Sequence, residues 1–458
     1  MMPKKSKQNN SKARDFPQHF VFLIIILLFL ATNITFAFHL QREIVPDEHA
    51  HIRLTEAFDT TLGIPGETEE ILMGGNVIEG NPFLYYWILA RFRNFVKWIF
   101  PSITNARLFL VSRAFNSFLS AGTLFVIYLL ARAVIKKPWL TLLPSFIMAN
   151  LQTFFMVSAG INYDNLNNLL CAIAIYLIIK IVKQDQQAFW LNSFGLAIVL
   201  GLAGLTKKTS LPLIVIIFFI WLFYVIKNKP AKVGLNFLSI FLIILAVLSV
   251  GANIYMYGRN LLVYKTLVPH CFSVKEESFC VNSNYYVRWL RTGQPEKLKL
   301  SELKELGHPG PIRYYFNHWM KVMISRNTGA FGHKDWQNPL NKSYEMALIL
   351  IAMMGLSQAK KPKKTVGCLL LIALVYTVVL YIYNYNEQLL YAFAGFGIQG
   401  RYIYPVIPAF LVIITRIVEE LRPKFMFYFT QAAVVLITIL GGPVQFLYHY
   451  KDYFYTWF

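Results

Sequence analysis

Apolar residues in this chain come in long blocks, not in a short alternating period. Runs of roughly 18–22 apolar residues recur from one end to the other, each long enough to cross the hydrocarbon core of a bilayer. Eleven spans are predicted, at about 20–40, 108–135, 139–158, 166–182, 189–205, 211–226, 234–256, 344–358, 365–383, 402–418 and 425–447. The stretch from Asn81 to Phe100 reads differently. Tyr85, Tyr86, Trp87 and Trp98 are interleaved with Arg91, Arg93 and Lys97, which predicts a helix lying in the membrane interface. The fold class is therefore an all-α polytopic membrane protein of about eleven transmembrane helices, with interfacial helices in its first outer loop.

Charge orients these spans. Lys4, Lys5, Lys7, Lys12 and Arg14 precede the first one, so the N-terminus is expected in the cytoplasm. Counting spans onward places Lys136-Lys137, Lys180 and Lys183, Lys227 to Lys232, Lys360 to Lys364, and Arg416 to Lys424 on the same inner side. The expected layout is a basic tail over 1–19, a membrane domain over 20–447 with outer loops at 41–106, 159–165, 257–343 and 384–401, and an outer tail at 448–458. No small-residue cleavage site follows the first apolar run, so that span is expected to stay as an anchor. Two basic features fall on the outer side, against the rule: Lys207-Lys208 and Arg401. Such exceptions need a partner, and an anionic headgroup is the obvious one.

Composition agrees with this picture. The chain has 458 residues, 56% of them hydrophobic and only 15% charged, whereas a soluble domain carries about a quarter charged residues. The net charge of +21 lies in short clusters between spans, which suits contact with anionic membrane lipids and argues against nucleic acid. Cys171 and Cys368 fall inside spans, where they pack. Cys271 and Cys280 lie in the long outer loop, where a disulfide can form in an oxidising compartment. Glycine-rich phosphate loops, nucleophile elbows, His-Glu-x-x-His and Cys-x-x-Cys pairs are all missing from the sequence, which sets soluble nucleotide chemistry aside.

The residues that can carry chemistry sit at the outer ends of spans. Asp47 and Glu48 follow the first span in Val45-Pro46-Asp47-Glu48-His49-Ala50-His51. A carboxylate there can deprotonate an acceptor hydroxyl, or hold a hard divalent cation beside a phosphate. The competing reading makes Asp47 an N-cap for a short helix and Glu48 a solvated charge. His49 and His51 read as headgroup or sugar contacts, or as surface residues. Asp164, in Asn162-Tyr163-Asp164-Asn165, suits sugar hydroxyls or a metal, or else serves a polar turn. Lys207, Lys208 and Arg401 can neutralise a phosphate leaving group, or snorkel toward lipid phosphates. The long outer loop is rich in aromatics, among them Tyr285, Tyr286, Trp289, Trp319 and Trp336, which stack on sugars or anchor loops at the interface.

In order along the chain, Val45 to His51, Asn81-Pro82-Phe83-Leu84-Tyr85-Tyr86, Asn162 to Asn165, Gly204-Leu205-Thr206-Lys207-Lys208-Thr209 and Gln399-Gly400-Arg401-Tyr402-Ile403-Tyr404-Pro405 resemble the membrane-embedded glycosyltransferases of the C fold, which use polyprenyl-phosphate-linked sugars. Within that superfamily the chain looks most like a bacterial family of membrane proteins long classed as a domain of unknown function. The resemblance implies a base or metal ligand at Asp47 or Glu48 and a second outer acid at Asp164. It also implies phosphate-binding cations at Lys207 or Lys208 and at Arg401, beside Tyr402. Where the family more often reads Thr-Lys-Pro-Thr, this chain has Lys208 in the third place, which leaves open which lysine faces the site. The implied cofactor is a divalent cation, Mg or Mn, held by Asp47, Glu48 and Asp164. The implied partners are a polyprenyl-phosphate-linked sugar, membrane lipids and a lipid or glycan acceptor. The implied location is the bacterial cytoplasmic membrane, with the site on its outer face. The absence of a large soluble C-terminal domain favours transfer of a single sugar over oligosaccharide transfer. Two other classes compete: a transporter or flippase of lipid-linked sugars, and a non-catalytic subunit of polysaccharide assembly.

Overall fold

The computed structural model describes residues 9–42, 44–69, 71, 77–183, 188–230, 233–234, 236–269, 271–280, 298–328, 330–331, 334–335, 363–391, 397–421, 424–440 and 442–443. The predicted span at 344–358, the aromatics Tyr285, Tyr286, Trp289 and Trp336, and the tail 448–458 lie outside these residues.

Helices dominate. Helix α1 covers Asn9–His39, α2 Glu48–Asp59, α3 Leu84–Ile99 and α4 Asn105–Val134. They are followed by α5 (Leu143–Asn150), α6 (Gln152–Ser158), α7 (Asp164–Val182), α8 (Phe189–Thr206), α9 (Leu211–Asn228) and α10 (Phe237–Tyr264). Beyond the long outer loop come α11 (Met320–Thr328), α12 (Lys364–Tyr391), α13 (Ile407–Glu420) and α14 (Lys424–Leu440). Among the described residues, 7 helices are long and apolar enough to cross a membrane, or 8 if one bent pair counts as a single span.

That bent pair is the predicted third span. It breaks between Asn150 and Gln152 with a 69° bend, because Leu151 leaves helical geometry for an extended ψ of 119°. The predicted tenth span also starts late. Residues Gly400–Ile403 form a 3₁₀ turn, and helix resumes only at Ile407. Pro405 can donate no backbone hydrogen bond at that point, while Pro408 sits in the first turn of α13, where none is needed. At 14 residues α13 is shorter than a span requires.

Helix α7 is the centre of the bundle. It packs on α4 and α8, and α8 in turn packs on α10. Cys171, Ala172, Ala174, Ile175, Ile178 and Ile179 of α7 are all fully buried, as expected for a helix apolar on every side. Lipid gives no hydrophobic drive between helices, so polar contacts matter more for pairing. The Asn253 side chain donates to the Gly201 carbonyl at 2.7 Å, and the Tyr257 hydroxyl to the Gly204 carbonyl at 2.7 Å. Asn165 binds α7 to its neighbours, donating to Asn116 at 3.0 Å and to the Val157 carbonyl at 2.9 Å. The end of the bundle where α7 begins is closed by α2 and α3, in the segment where the sequence places interfacial helices. Arg93 of α3 reaches Asp59 and Glu56 of α2 at 3.2 Å each. Tyr85, Tyr86 and Leu89 face inward, while Phe95, Trp98 and Ile99 stay exposed.

Candidate functional site

Four stretches far apart in sequence meet at the N-terminal end of α7. The first is the link from α1 to α2. Here Arg113 of α4, fully buried, donates to the Ala37 carbonyl at 2.9 Å and the Leu40 carbonyl at 2.6 Å. These are among the last carbonyls of α1, which the helix itself leaves unpaired. The same guanidinium grips both oxygens of Glu48, at 2.7 and 2.6 Å. Glu48 also accepts the Ile161 backbone N–H at 3.0 Å. Its carboxylate is therefore consumed in a buried clamp, which corrects the expectation that Glu48 is a solvated charge or a group facing substrate.

The second stretch is the turn before α7. Gly160 lies against Val45, and a Cβ at Gly160 would come within 2.4 Å of the valine side chain. Asn162, also fully buried, donates to the Pro46 carbonyl at 3.2 Å and accepts the Asp164 N–H at 2.9 Å. Its amide ties the two acidic loops together.

Asp47 behaves unlike its neighbour. Its backbone is left-handed, with φ of 62°, and its side chain makes no cap bond to α2. Aspartate is among the few residues that tolerate this region. The side chain, 53% exposed, instead meets the Arg401 guanidinium at 2.7 Å. The N-cap reading of Asp47 thus fails for the side chain, while its backbone carbonyl still accepts the His51 N–H at 3.0 Å.

Arg401 and Lys207 come from the third and fourth stretches. Arg401 sits on the Gly400–Ile403 turn, 5% exposed, with Asp47 on one side and Asp164 at 3.5 Å on the other. Burial opposes its charge, but Asp164 and Asp47 together more than offset this and hold its pKa above the usual arginine value. Lys207, buried between α8 and α9, donates directly to the other oxygen of Asp164. Its ammonium lies 4.4 Å from the Tyr163 ring and 5.0 Å from the Tyr402 ring, a cation–π setting. Burial pushes the Lys207 pKa down, and the adjacent Asp164 pulls it back up. Lys208 turns away, toward the charge of Glu387 on α12. The structure therefore brings Lys207 to the site, not Lys208.

The two histidines also part company. His49 is exposed. His51 is buried, with Nδ1 at 2.9 Å from the Tyr86 hydroxyl and its ring 4.6 Å from that of Tyr163. Its Nε2 is buried with no hydrogen-bond partner among the described residues. Burial is the main cause of a pKa lowered to about 4, so the ring is neutral at pH 7.

A second layer holds the Arg401 turn in place. A Cβ on Gly400 would come within 2.6 Å of the Arg326 backbone, so only glycine lets α11 lie on this turn. The Arg326 side chain donates to the Ile398 carbonyl, and Thr153 of α6 donates to the Arg326 carbonyl at 2.5 Å. Between α10 and α11, Cys271 and Cys280 are joined as a disulfide.

Arg113, Tyr86, Arg326 and the Tyr163 ring had no assigned role from sequence. Arg113 left a signal: an arginine within an apolar span is a functional or structural marker by default. The divalent cation expected at Asp47, Glu48 and Asp164 does not fit this arrangement. Glu48 is spent on Arg113, and Asp47 and Asp164 share a cation that is already there. Among the described residues, no three His, Cys, Asp or Glu side chains converge on a common point.

Residues 82–252 match the model of the dolichyl-phosphate-mannose-protein mannosyltransferase family. The matched segment includes Arg113, Asp164 and Lys207, while Asp47 and Arg401 lie outside it. No curated protein matches the sequence. Among solved structures, the chain is similar to ArnT from Cupriavidus metallidurans in its apo state, at 11% identity and a TM-score of 0.45, covering 89% of this chain and 60% of that one. The same protein bound to undecaprenyl phosphate gives 13% identity, a TM-score of 0.45, and coverage of 88% and 60%. The oligosaccharyltransferase AglB from Archaeoglobus fulgidus, in complex with an inhibitory peptide and a dolichol-phosphate, gives 11%, 0.46, and coverage of 93% and 56%. The chain thus spans about three-fifths of the length of these proteins. With its apolar helices and the family match over 82–252, it is a multi-pass membrane protein that resembles the membrane-embedded C-fold glycosyltransferases.

Proposed function

We propose that this protein transfers a sugar from a polyprenyl-phosphate donor to a cell-envelope acceptor on the outer face of a bacterial cytoplasmic membrane. The observation that carries this reading is the meeting of Asp47, Asp164, Lys207 and Arg401 at one end of the bundle. Two cations suit the donor phosphate, and a half-exposed carboxylate beside them suits an acceptor hydroxyl.

The step balances as follows. The acceptor hydroxyl oxygen attacks the anomeric carbon, and the bond from that carbon to the phosphate oxygen breaks. The electron pair stays on the phosphate, where Arg401 and Lys207 receive the added negative charge by charge-assisted hydrogen bonds. The hydroxyl proton passes to Asp47. Attack from the face opposite the phosphate inverts the anomeric configuration. Asp164 holds the two cations in register, and the neutral His51 presents Nε2 to a sugar hydroxyl or phosphate oxygen. Tyr402 and Tyr163 cover the Lys207 ammonium. No step is routed through a metal ion, because the acids among the described residues do not form a ligand set.

Cell-envelope glycans compared by mass spectrometry, with and without this protein, test the reading. A glycan lacking one sugar is expected, and complementation with Asp47→Asn should leave it lacking. An intact glycan profile in the deletion strain would count against an enzyme. Accumulation of lipid-linked sugar on the inner leaflet alone would favour a flippase.

A further inference from the structure

Away from the candidate site, helices α9 and α12 frame a groove that the transfer reaction does not use. At the site end the two helices are tied together, where the Tyr376 hydroxyl donates to the Thr209 carbonyl at 3.0 Å. Toward their other end a groove of about 610 Å³ opens between them. Its floor is Ile216, Ile220, Tyr224 and Cys368, all buried. Its rims are bulky and open: Phe219 is 62% exposed, Phe223 56% and Leu371 49%. On α9 the floor and rim residues each recur at every fourth position, so each set forms a stripe along one side of the helix.

Length and charge identify the occupant. From Lys364 to Val375, the α12 residues that bound the groove, the helix rises about 16 Å. That is half of a hydrocarbon core roughly 30 Å thick, so the groove is one leaflet deep. A partner helix would run on past the midplane, and helices in lipid approach each other through small residues, whereas these rims are phenylalanine and leucine. The end away from the site is cationic. Lys364 lines it, and the rim stripe of α9 continues to Lys227, whose ammonium lies 5.3 Å from the Phe223 ring. Both lysines are exposed. The groove helices bring no acid to cancel them: α9 carries none, and the one acid of α12, Glu387, lies at the far end against Lys208. Glu419 and Glu420 of α13 are both engaged by Arg416.

We propose that this groove binds an anionic phospholipid of the leaflet opposite the candidate site. One acyl chain lies along the Ile216–Ile220 floor, and the phosphate reaches Lys227 and Lys364. Basic pockets between transmembrane helices hold anionic head groups in this way. The site is separate from the donor site, since its lining includes none of Asp47, Asp164, Lys207 and Arg401. Gly367 offers a way to close it. It lines the groove, and a Cβ there would meet nothing within 4 Å, so a large side chain can fill the groove without displacing either helix.

Native mass spectrometry of the full-length protein, titrated in detergent with dioleoyl phosphatidylglycerol or dioleoyl phosphatidylcholine, tests this. Wild type is expected to hold phosphatidylglycerol at one site, about thirtyfold more tightly than phosphatidylcholine, the scale of two lysines beside an anionic lipid. Lys227→Gln/Lys364→Gln should bind the two lipids within about twofold of each other. Gly367→Trp, checked for an unchanged melting temperature, should weaken both lipids about tenfold, because the chain loses its packing contacts. Phe219→Ala, which lowers an exposed rim and leaves the floor intact, should weaken both about threefold for the same reason. Equal retention of the two lipids by wild type, or a preference that survives loss of both lysines, overturns the proposal. So do folded groove variants that bind phosphatidylglycerol as wild type does. Displacement of phosphatidylglycerol by an equimolar polyprenyl phosphate, or a dimer that Gly367→Trp abolishes, overturns it as well.

Discussion

Asp47 and Glu48 are adjacent carboxylates, each paired with an arginine from a distant helix or turn, yet the two pairs are physically opposite. Glu48–Arg113 is 1% and 0% exposed, bidentate, and reinforced by backbone partners on both sides. Asp47 meets Arg401 at 2.7 Å with the aspartate side chain half in solvent. The left-handed turn at Asp47 directs one side chain inward and its neighbour out. The contrast teaches that an acidic pair can divide its labour: one member fixes the scaffold so that the other can be held loosely.

The largest effect should come from breaking the buried pair. Arg113→Met leaves the Glu48 carboxylate buried without its cation and the α1 carbonyls without their donor. A loss of about 3–5 kcal/mol is expected, read as a large drop in melting temperature or in folded yield. The double variant Arg113→Met/Glu48→Leu should recover much of that loss, because it removes the stranded charge. A single variant as stable as wild type would sink the clamp.

Asp47→Asn should do the reverse. Its melting temperature is expected to stay close to that of wild type, while the transfer rate falls by about 10²–10⁴-fold, the usual contribution of a general base. If Asp47→Asn and Glu48→Gln lost stability equally, the division between the two acids would be wrong.

The two lysines sharpen the same contrast on a smaller scale. Lys207→Met removes a phosphate partner and strips Asp164 of its cation, so about a 10²-fold loss of rate is expected. Lys208→Met should cost little, about twofold, because its charge is set against Glu387 and not Asp164. Steady-state rates on the same lipid-linked donor decide it, and equal losses would mean that Lys208 also reaches the phosphate.

Much of this was legible before the structure. The 7 long apolar helices among the described residues followed from block hydrophobicity, Lys207 and Arg401 from cations that break the expected charge pattern, and Asp47 and Asp164 from acids in the links between spans. The sequence could not say that Glu48 turns inward, since that depends on one backbone angle at Asp47. It could not choose Lys207 over Lys208, since that depends on how the short turn Lys208–Ser210 begins α9. Nor could it pair Arg113 with Glu48 across 65 residues, although an arginine within a span was a visible flag. The break at Leu151 carries no proline or glycine, so local composition gave no warning of it. What pattern alone recovers is location relative to the membrane. Direction of side chains comes from packing.

His51 gives the finest test of how closed the site is. Its pKa is lowered to about 4 by burial, against about 6.5 for an exposed histidine in the unfolded chain. The unfolded state therefore binds more protons between those two values, so stability rises with pH in that window. The contribution is fully present above pH 6.5 and is lost as pH falls through 4. For a fully buried ring the effect is at most about 3 kcal/mol, from 1.36 kcal/mol per pKa unit. His51→Gln keeps a side chain that can reach Tyr86 but cannot charge, so the difference in melting temperature between wild type and variant should shrink as pH drops from 6.5 toward 4. The transfer rate of wild type should show no histidine inflection between pH 5.5 and 8 for the same reason. A slope unchanged by His51→Gln would mean that the ring is open to water.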